Sequence, residues 1–235
     1  MLPGEVHRRS LAQMGWSAKV KTPLNAASLF VIAPCAATVW LVHRLAGPNA
    51  GQGTFVFWTH VVSLLPGAPG RFLRRAFYRW TLERCDVDVT IEFGTLFSRR
   101  AAVLEEGVYI GCYALIGSAH IGAHSLVGSR ASLLSGGAQH QWLPSGGWSA
   151  TDLTNLTGIT IGPHTWIGEG AVLMAGTGEG CMVAAGAVVS APVPAHTMVA
   201  GNPARFVRRV TSQTAEVVAA LPAASETEER VRGAS

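Results

Sequence analysis

The stretch ITIGPHTWIGEGAVLMAGTGEGCMVAAGAVV, residues 159–189, carries an aliphatic residue at nearly every sixth position, and glycine or another small residue commonly follows it. The same period is present upstream, and a segment between Leu133 and Ile161 interrupts it. A period of six fits neither an amphipathic helix nor a simple alternating strand. It predicts a solenoid in which each hexad forms one short strand and one tight turn, with the aliphatic side chain directed inward.

The period assigns two sets of positions on either side of the interruption. The inward positions are Leu104, Ile110, Ile116, Ile121, Val127, Leu133, Ile161, Ile167, Leu173, Thr177, Val183 and Val189. Small side chains recur at the fifth position of the hexad, namely Ala114, Ser125, Ala131, Thr165, Ala171, Cys181 and Ala187. We expect both sets to be buried, the first as the core and the second in the turns.

Composition excludes several classes of protein. The chain has 235 residues, of which 49% are hydrophobic and 14% charged, enough for one packed domain with an appendage. The formal charge of +4 comes without a long basic stripe, which argues against nucleic-acid binding. The four cysteines are widely spaced and form no C-x-x-C pair, so we expect reduced thiols in a cytoplasmic protein and no catalytic thiol.

Residues 103–209 resemble the hexapeptide-repeat acyltransferases, and especially the maltose, galactoside and xenobiotic O-acetyltransferase branch. The resemblance rests on TWIG at residues 165–168, AAGAVV at residues 184–189 and AGNPAR at residues 200–205. It implies an all-β fold, a left-handed parallel β-helix with a long loop excursion. It also implies a homotrimer that binds acetyl-CoA as co-substrate in a groove between neighbouring solenoids, with no metal.

Together with the composition of the flanking segments, the resemblance predicts a chain of three parts. Residues 1–90 form an apolar and basic N-terminal region that we expect to be helical, residues 91–210 form the β-helix, and residues 211–235 form a tail. In this family the loop that leaves the β-helix carries a histidine, which acts as general base on an acceptor hydroxyl. A hydroxyl is a poor nucleophile at neutral pH, and a neutral imidazole removes its proton as it attacks the thioester.

His140 is the residue that we predict to be this base. Counting from the repeat at Ile121 places Ala138, not His140, opposite the histidine of the galactoside enzymes. A catalytically inactive trimeric subunit therefore stays open as an alternative. A metalloenzyme of the carbonic anhydrase type is another, with His120 and His124 as candidate ligands.

The resemblance also transfers coenzyme and substrate positions. The predicted coenzyme-binding residues are Glu169, Ala185, Ser190, Ala191, Arg205 and Arg208, of which the two arginines would meet phosphate. In the loop, Trp142 and Trp148 are predicted to stack on a sugar ring, or else to pin the loop to a solenoid, and Asp152 is predicted to accept hydrogen bonds from the sugar. The predicted reaction is acetyl-CoA-dependent O-acetylation of a sugar hydroxyl, on a polysaccharide or glycolipid precursor or another hydroxylated small molecule.

The N-terminal region contains two long uncharged stretches and an arginine cluster. Length alone would permit a membrane span after Lys21, but we expect Pro23 and Pro34 to interrupt it. The segment RFLRRAFYRWTLER, residues 71–84, combines five arginines with four aromatic residues, a composition able to lie at a lipid surface. We expect a cytoplasmic protein, with peripheral contact at the inner face of the membrane and packing of a helical arm on the trimer as the two open roles for this region.

Overall fold

The computed structural model describes residues 18–135, 140, 142–149 and 158–211 of the chain. Within these residues, three helices precede the strands, α1 at Ala18–Ala46, α2 at Pro48–Ser63 and α3 at Gly67–Thr81. Pro48 stands at the first turn of α2, where its missing N–H leaves no helical bond unmade. The expectation of a helical N-terminal region is therefore met. The predicted position of Ala138 and that of Asp152 lie outside the described residues.

In the described part of the chain, sixteen short strands follow the helices. They are β1 Arg84–Cys85, β2 Thr90–Ile91, β3 Leu96–Phe97, β4 Val103–Leu104, β5 Tyr109–Ile110, β6 Leu115–Ile116, β7 Ala119–Ile121, β8 Leu126–Val127, β9 Ser132–Leu133, β10 Ile159–Ile161, β11 Trp166–Ile167, β12 Val172–Leu173, β13 Met182–Val183, β14 Val188–Val189, β15 Thr197–Ala200 and β16 Arg205–Arg209. Apart from β16, which is antiparallel to β15, every pairing between them is parallel.

The strands form three sheets, which are the three faces of a solenoid of about five turns. Sheet A has the order β1-β4-β7-β10, sheet B the order β2-β5-β8-β11-β13-β15-β16, and sheet C the order β3-β6-β9-β12-β14. The chain therefore passes from A to B to C in each coil. Single bridges that join Ile161 to Thr177 and Thr177 to Val193 continue sheet A beyond β10. The predicted solenoid fold is confirmed.

The core of the solenoid consists of the inward positions of the hexads. Leu104, Ile110, Ile116, Ile121, Val127, Leu133, Ile161, Ile167 and Leu173 are each 0% exposed, Val183 and Val189 1%, and Thr177 6%. The small residues of the fifth position are also buried, each at 2% or less. Cys85, Ile91 and Phe97 add a first coil with the same spacing of six, upstream of the repeats that the sequence pattern identified.

The three helices cover the end of the solenoid formed by the first coil. The buried rings of Phe55, Phe77 and Tyr78 pack on one another, and the ring centroids of Tyr78 and Phe97 are 4.4 Å apart. The Phe97 N–H donates to the Thr59 hydroxyl at 3.3 Å. A solenoid end exposes both its apolar core and the free edges of its strands, so this helical cap removes both from water.

The arginine cluster of α3 belongs to the same junction. Arg74 is 1% exposed, and its guanidinium donates to the carbonyl oxygens of Ile91 and Leu65. Arg71 pairs with Glu92 at 2.8 Å. These two arginines, like the buried rings of Phe77 and Tyr78, make contacts inside the protein, whereas Arg79 and Arg84 of the same segment are exposed. Contact of the exposed part of the cluster with lipid stays a prediction.

The prediction that Pro23 and Pro34 interrupt the apolar segment is wrong. Helix α1 runs without interruption through Pro23 and Pro34. By length and composition, the segment Thr22–Ala46 could cross a membrane. In its most apolar stretch of 18 residues, 22% of the residues are buried in the fold. Ile32, Ala36 and Val39 face the other helices, while Phe30 is 81% exposed and Leu45 78% exposed on the outer side.

Candidate active site

The interruption of the hexad pattern is a loop excursion from one edge of the solenoid. The chain leaves after β9 and returns at β10, which pairs with β7 in the coil before. Ser118 contacts both ends of the excursion. Its N–H donates to Ser135 Oγ at 2.7 Å where the chain leaves, and its carbonyl oxygen accepts from the Ile159 N–H at 3.0 Å where the chain returns. The excursion therefore starts and ends at the edge between sheets C and A.

Residues 142–148 of the excursion form a small hairpin. Trp142 and Trp148 make an antiparallel bridge, and the Leu143 N–H donates to the Gly147 carbonyl oxygen at 2.9 Å. Gly146 and Gly147 have φ of 82° and 97°, which only glycine adopts readily. The two indole rings meet edge to face at 5.5 Å between centroids and are 65% and 70% exposed. The hairpin thus presents a pair of aromatic side chains to the surroundings.

His140 lies at the base of this hairpin. Its ring is exposed, and Nδ1 is 2.9 Å from the carbonyl oxygen of Ser149. A carbonyl oxygen can only accept a hydrogen bond, so Nδ1 must carry the proton. In the neutral ring the lone pair is then on Nε2. This tautomer is the one that a general base needs, because the bond at Nδ1 both orients the ring and assigns the basic nitrogen.

Three of the six predicted coenzyme residues meet at one cavity. Ser190, Ala191 and Arg205 line a cavity of about 290 Å³ at the C-terminal end of the solenoid, together with Arg209. Ser190 and Ala191 follow β14, at the same edge between sheets C and A from which the excursion leaves.

Arg209 was not among the predicted coenzyme-binding residues. Its guanidinium donates to the Ala195 carbonyl oxygen and to Thr197 Oγ1, both at 3.1 Å. A register shift between Met198 and Val199 displaces the pairing of β16 by one residue. If side chains alternate along the strand RFVRR, Arg205 and Arg209 share one face and Arg208 lies on the other. This alternation could have identified Arg209 from the sequence as a partner of Arg205.

The other three predicted coenzyme residues do not line this cavity. Glu169 and Ala185 lie at the edge between sheets B and C in successive coils, where the Gly186 N–H donates to the Glu169 carbonyl oxygen at 2.8 Å. The Glu169 carboxylate is 3.8 Å from the Arg130 guanidinium, and both side chains are mostly exposed. Arg208 of β16 pairs with Met198 of β15 and is not among the residues that line the cavity. The predicted set therefore flanks sheet C on both sides.

The other histidines of the solenoid have structural surroundings. His120 Nε2 is 2.8 Å from Glu105 Oε1, and this hydrogen bond, with that of the Ala123 N–H, lowers the pKa of the Glu105 carboxyl. His124 and His164 stack at 5.3 Å, and both have positive φ at turns. In the part of the chain that the structure describes, no three His, Cys, Asp or Glu side chains are grouped to hold a metal ion.

The four cysteines are unpaired thiols. Burial raises the pKa of the Cys85 thiol to about 12, and Cys181 is also buried. A nucleophilic cysteine needs an accessible thiolate. Neither of these residues provides one, because the solenoid core surrounds both.

Comparison with known proteins supports the fold. A provisionally named acetyltransferase of Staphylococcus aureus strain MRSA252 is 37% identical over 57 residues, which are 23% of this chain and 29% of that protein. A protein of Escherichia coli strain K12, provisionally named a lipopolysaccharide biosynthesis O-acetyl transferase, is 28% identical over 128 residues, or 50% of this chain and 65% of that one. The matches thus span less than two thirds of the relatives' own lengths. No family model matches the chain.

Two solved structures share the architecture. A hexapeptide-repeat acetyltransferase of Vibrio cholerae has 18% identity and a TM-score of 0.54, covering 69% of this chain and 94% of that one. A galactoside acetyltransferase in complex with coenzyme A has 19% identity and a TM-score of 0.53, covering 70% and 85%. The predicted resemblance to hexapeptide-repeat acetyltransferases is confirmed at the level of the fold.

Proposed function

We propose that the protein is an acetyl-CoA-dependent O-acetyltransferase and that His140 is its general base. The observation that carries the proposal is the contact of His140 Nδ1 with the Ser149 carbonyl oxygen, which leaves the lone pair of the neutral ring on Nε2. The names of the relatives support acetyl transfer, and the coenzyme A complex of the galactoside enzyme supports the donor. The cavity lined by Arg205 and Arg209 offers two guanidinium groups to the phosphates of the coenzyme.

The reaction needs one proton acceptor and no covalent enzyme intermediate. His140 Nε2 takes the proton of the acceptor hydroxyl as the hydroxyl oxygen attacks the thioester carbonyl. The C–S bond then breaks, the acetyl group stays on the acceptor oxygen, and the imidazolium returns its proton to the departing thiolate. The carbonyl oxygen of Ser149 stabilises the imidazolium while the ring holds the proton.

A sugar hydroxyl is the acceptor that we propose, in a polysaccharide or glycolipid precursor or another hydroxylated small molecule. Support comes from the exposed indole rings of Trp142 and Trp148, since aromatic faces suit the apolar face of a sugar. The name of the E. coli relative, which refers to lipopolysaccharide biosynthesis, agrees with this class. The part assigned to Asp152 stays a prediction.

We also propose a homotrimer that contacts the membrane surface from the cytoplasmic side. The solenoid leaves large apolar side chains exposed on its faces, among them Leu115, Trp166 and Phe206. Neighbouring solenoids would cover such side chains, which supports the trimer. The apolar outer side of α1 supports the membrane contact.

Steady-state kinetics of a His140→Ala variant test the proposed base. We expect turnover to fall by about a hundredfold or more and the affinity for acetyl-CoA to stay unchanged, because the imidazole acts on the acceptor. Arg205→Ala should do the opposite, raising the apparent KM for acetyl-CoA, with a smaller effect as salt concentration rises. His60→Ala, which changes an exposed histidine of α2, is the matched control.

The outcome that contradicts the assignment is wild-type turnover by His140→Ala on an acceptor that the protein acetylates. Introducing Ala138→His into the His140→Ala variant then tests the alternative register, since rescue would assign the base to position 138. Binding of coenzyme A without turnover of any acceptor in a broad panel of sugars would favour the inactive subunit.

A further inference from the structure

A second cavity lies beside the base of the excursion. It has a volume of about 320 Å³ and is lined by residues of α1, of α2 and of the turn that follows β3, with Ser118 at its other side. The side chain of Gln52 donates to the Ser98 carbonyl oxygen at 2.8 Å, which attaches α2 to this turn. The cavity is therefore formed where the helical cap meets the solenoid edge.

The lining is positively charged. The charged residues among those that line it are Arg99 and Arg100, and the lining contains no Asp or Glu residue. Arg100 is held in place, because its Nε donates to the Thr81 carbonyl oxygen at 3.1 Å and its guanidinium lies 3.9 Å from the Trp40 ring centroid. Arg99 is half-buried beside it.

The N-terminus of helix α2 adds to the positive electrostatic potential at the cavity. Its first residue, Pro48, lines the cavity, and the helix has neither a side-chain cap nor an acidic residue in its first turn. The N-terminal end of a helix of 16 residues is positive. Two guanidinium groups and a helix N-terminus around one cavity are the arrangement that binds phosphate oxygens.

The cavity and the excursion lie along the same edge of the solenoid. The turn that holds Arg99 follows β3, Ser118 precedes β7 in the next coil, and the excursion leaves from the coil after that. Strands of neighbouring coils are about 4.8 Å apart, so the Arg99 turn lies about 10 Å along the edge from the start of the excursion. Ser118 joins the two sites, since it lines the cavity and hydrogen-bonds both ends of the excursion.

We infer that this cavity binds the phosphate group of a phosphate-bearing acceptor, such as a glycosyl phosphate or diphosphate, whose sugar extends along the edge toward His140. The inference rests on the proposed function and names its substrate class. A glycosyl phosphate carries the anion at one end of a sugar ring and hydroxyl groups at the other, which matches a phosphate site displaced along the edge from the proposed base. A neutral polysaccharide has no group for this cavity.

Binding measurements with the full-length protein test the inference without any need for turnover. The soluble probe is glucose 1-phosphate, compared with methyl glucoside in titration calorimetry, and the lipid probe is a phosphatidylcholine vesicle with or without phosphatidic acid, in flotation. We expect Arg99→Gln to weaken phosphate-dependent binding about tenfold in at least one arm, with Arg99→Lys retaining most of it. Arg79→Gln, which removes an exposed arginine of α3 outside the cavity, should bind as the wild type does.

The arm that responds identifies the source of the phosphate, a soluble sugar phosphate or a lipid headgroup. If Arg99→Gln binds both probes as tightly as the wild type, or if Arg79→Gln weakens binding equally, the inference is wrong. Failure of the proposed function would look different. In that case His140→Ala would leave turnover unchanged, while the Arg99-dependent binding of phosphate would persist.

Discussion

Thr177 shows how closely single residues follow the hexad pattern, because it is a hydroxyl-bearing residue at an inward position. It is 6% exposed, and within the described residues its Oγ1 is buried without a hydrogen-bond partner. A buried hydroxyl that makes no hydrogen bond is less favourable than a methyl group of the same size.

Thr177→Val should therefore raise the free energy of unfolding by about 1 kcal/mol, because it removes an unsatisfied hydroxyl and keeps the shape. Thermal or denaturant unfolding measures the change. Thr165→Val is the matched control, since Thr165 Oγ1 donates to the Gly178 carbonyl oxygen at 3.1 Å and its loss should lower stability by a similar amount. A lower stability for Thr177→Val would mean that its hydroxyl has a partner in solution.

Helix α1 differs from its predicted form, because it continues through Pro23 and Pro34 and exposes an apolar side. We name its exposed residues Phe30, Val31, Leu41 and Leu45, with Phe57 of α2, the outer apolar face. Trp58 Nε1 donates to Thr38 Oγ1 at 2.7 Å and so connects the α1 and α2 parts of this face. Two arginines of α3, Arg71 and Arg74, are used in the junction with the solenoid, so we expect lipid contact through this face to be mainly apolar.

Flotation with phosphatidylcholine vesicles tests the outer apolar face. We expect the wild type to float and to remain bound at high salt, since apolar burial is not screened. The Leu41→Glu/Leu45→Glu variant should stay in the soluble fraction. Val87→Glu, which changes an exposed apolar residue of the solenoid, is the control and should float. A wild type that stays soluble at low and high salt would exclude membrane contact through this face.

The whole molecule is predicted to be a trimer, because the predicted coenzyme residues flank sheet C on both edges and do not form one closed site within a single chain. Light scattering at micromolar concentration should give a mass three times that of the 24.7 kDa chain. A stable monomer at this concentration would contradict the trimer. If the Leu41→Glu/Leu45→Glu variant lost its trimeric mass, the outer apolar face would be a subunit contact instead, as in the alternative of a helical arm packed on the trimer.

The sequence by itself determined the solenoid, because every coil must place an aliphatic side chain inside and a small one in the turn for the next coil to stack. The predicted inward residues from Leu104 to Val189 are all buried for this reason. The first coil, with Cys85, Ile91 and Phe97, has the same spacing, but the predicted hexads began at Leu104 and the predicted β-helix at residue 91, because Cys85 and Phe97 are not the aliphatic residues that mark the other coils.

Only the tertiary structure decided which charged and polar groups are available for chemistry. The period of six says nothing about the Nδ1 contact of His140, about Arg209 in the C-terminal cavity, or about Arg99 and Arg100 beside the excursion. The first depends on the hairpin that brings Ser149 back to His140, and the other two depend on segments that are distant in sequence or on a register shift between strands. A local repeat specifies burial through its own spacing, whereas the partner of a polar group depends on which other segment the completed fold brings within hydrogen-bond distance.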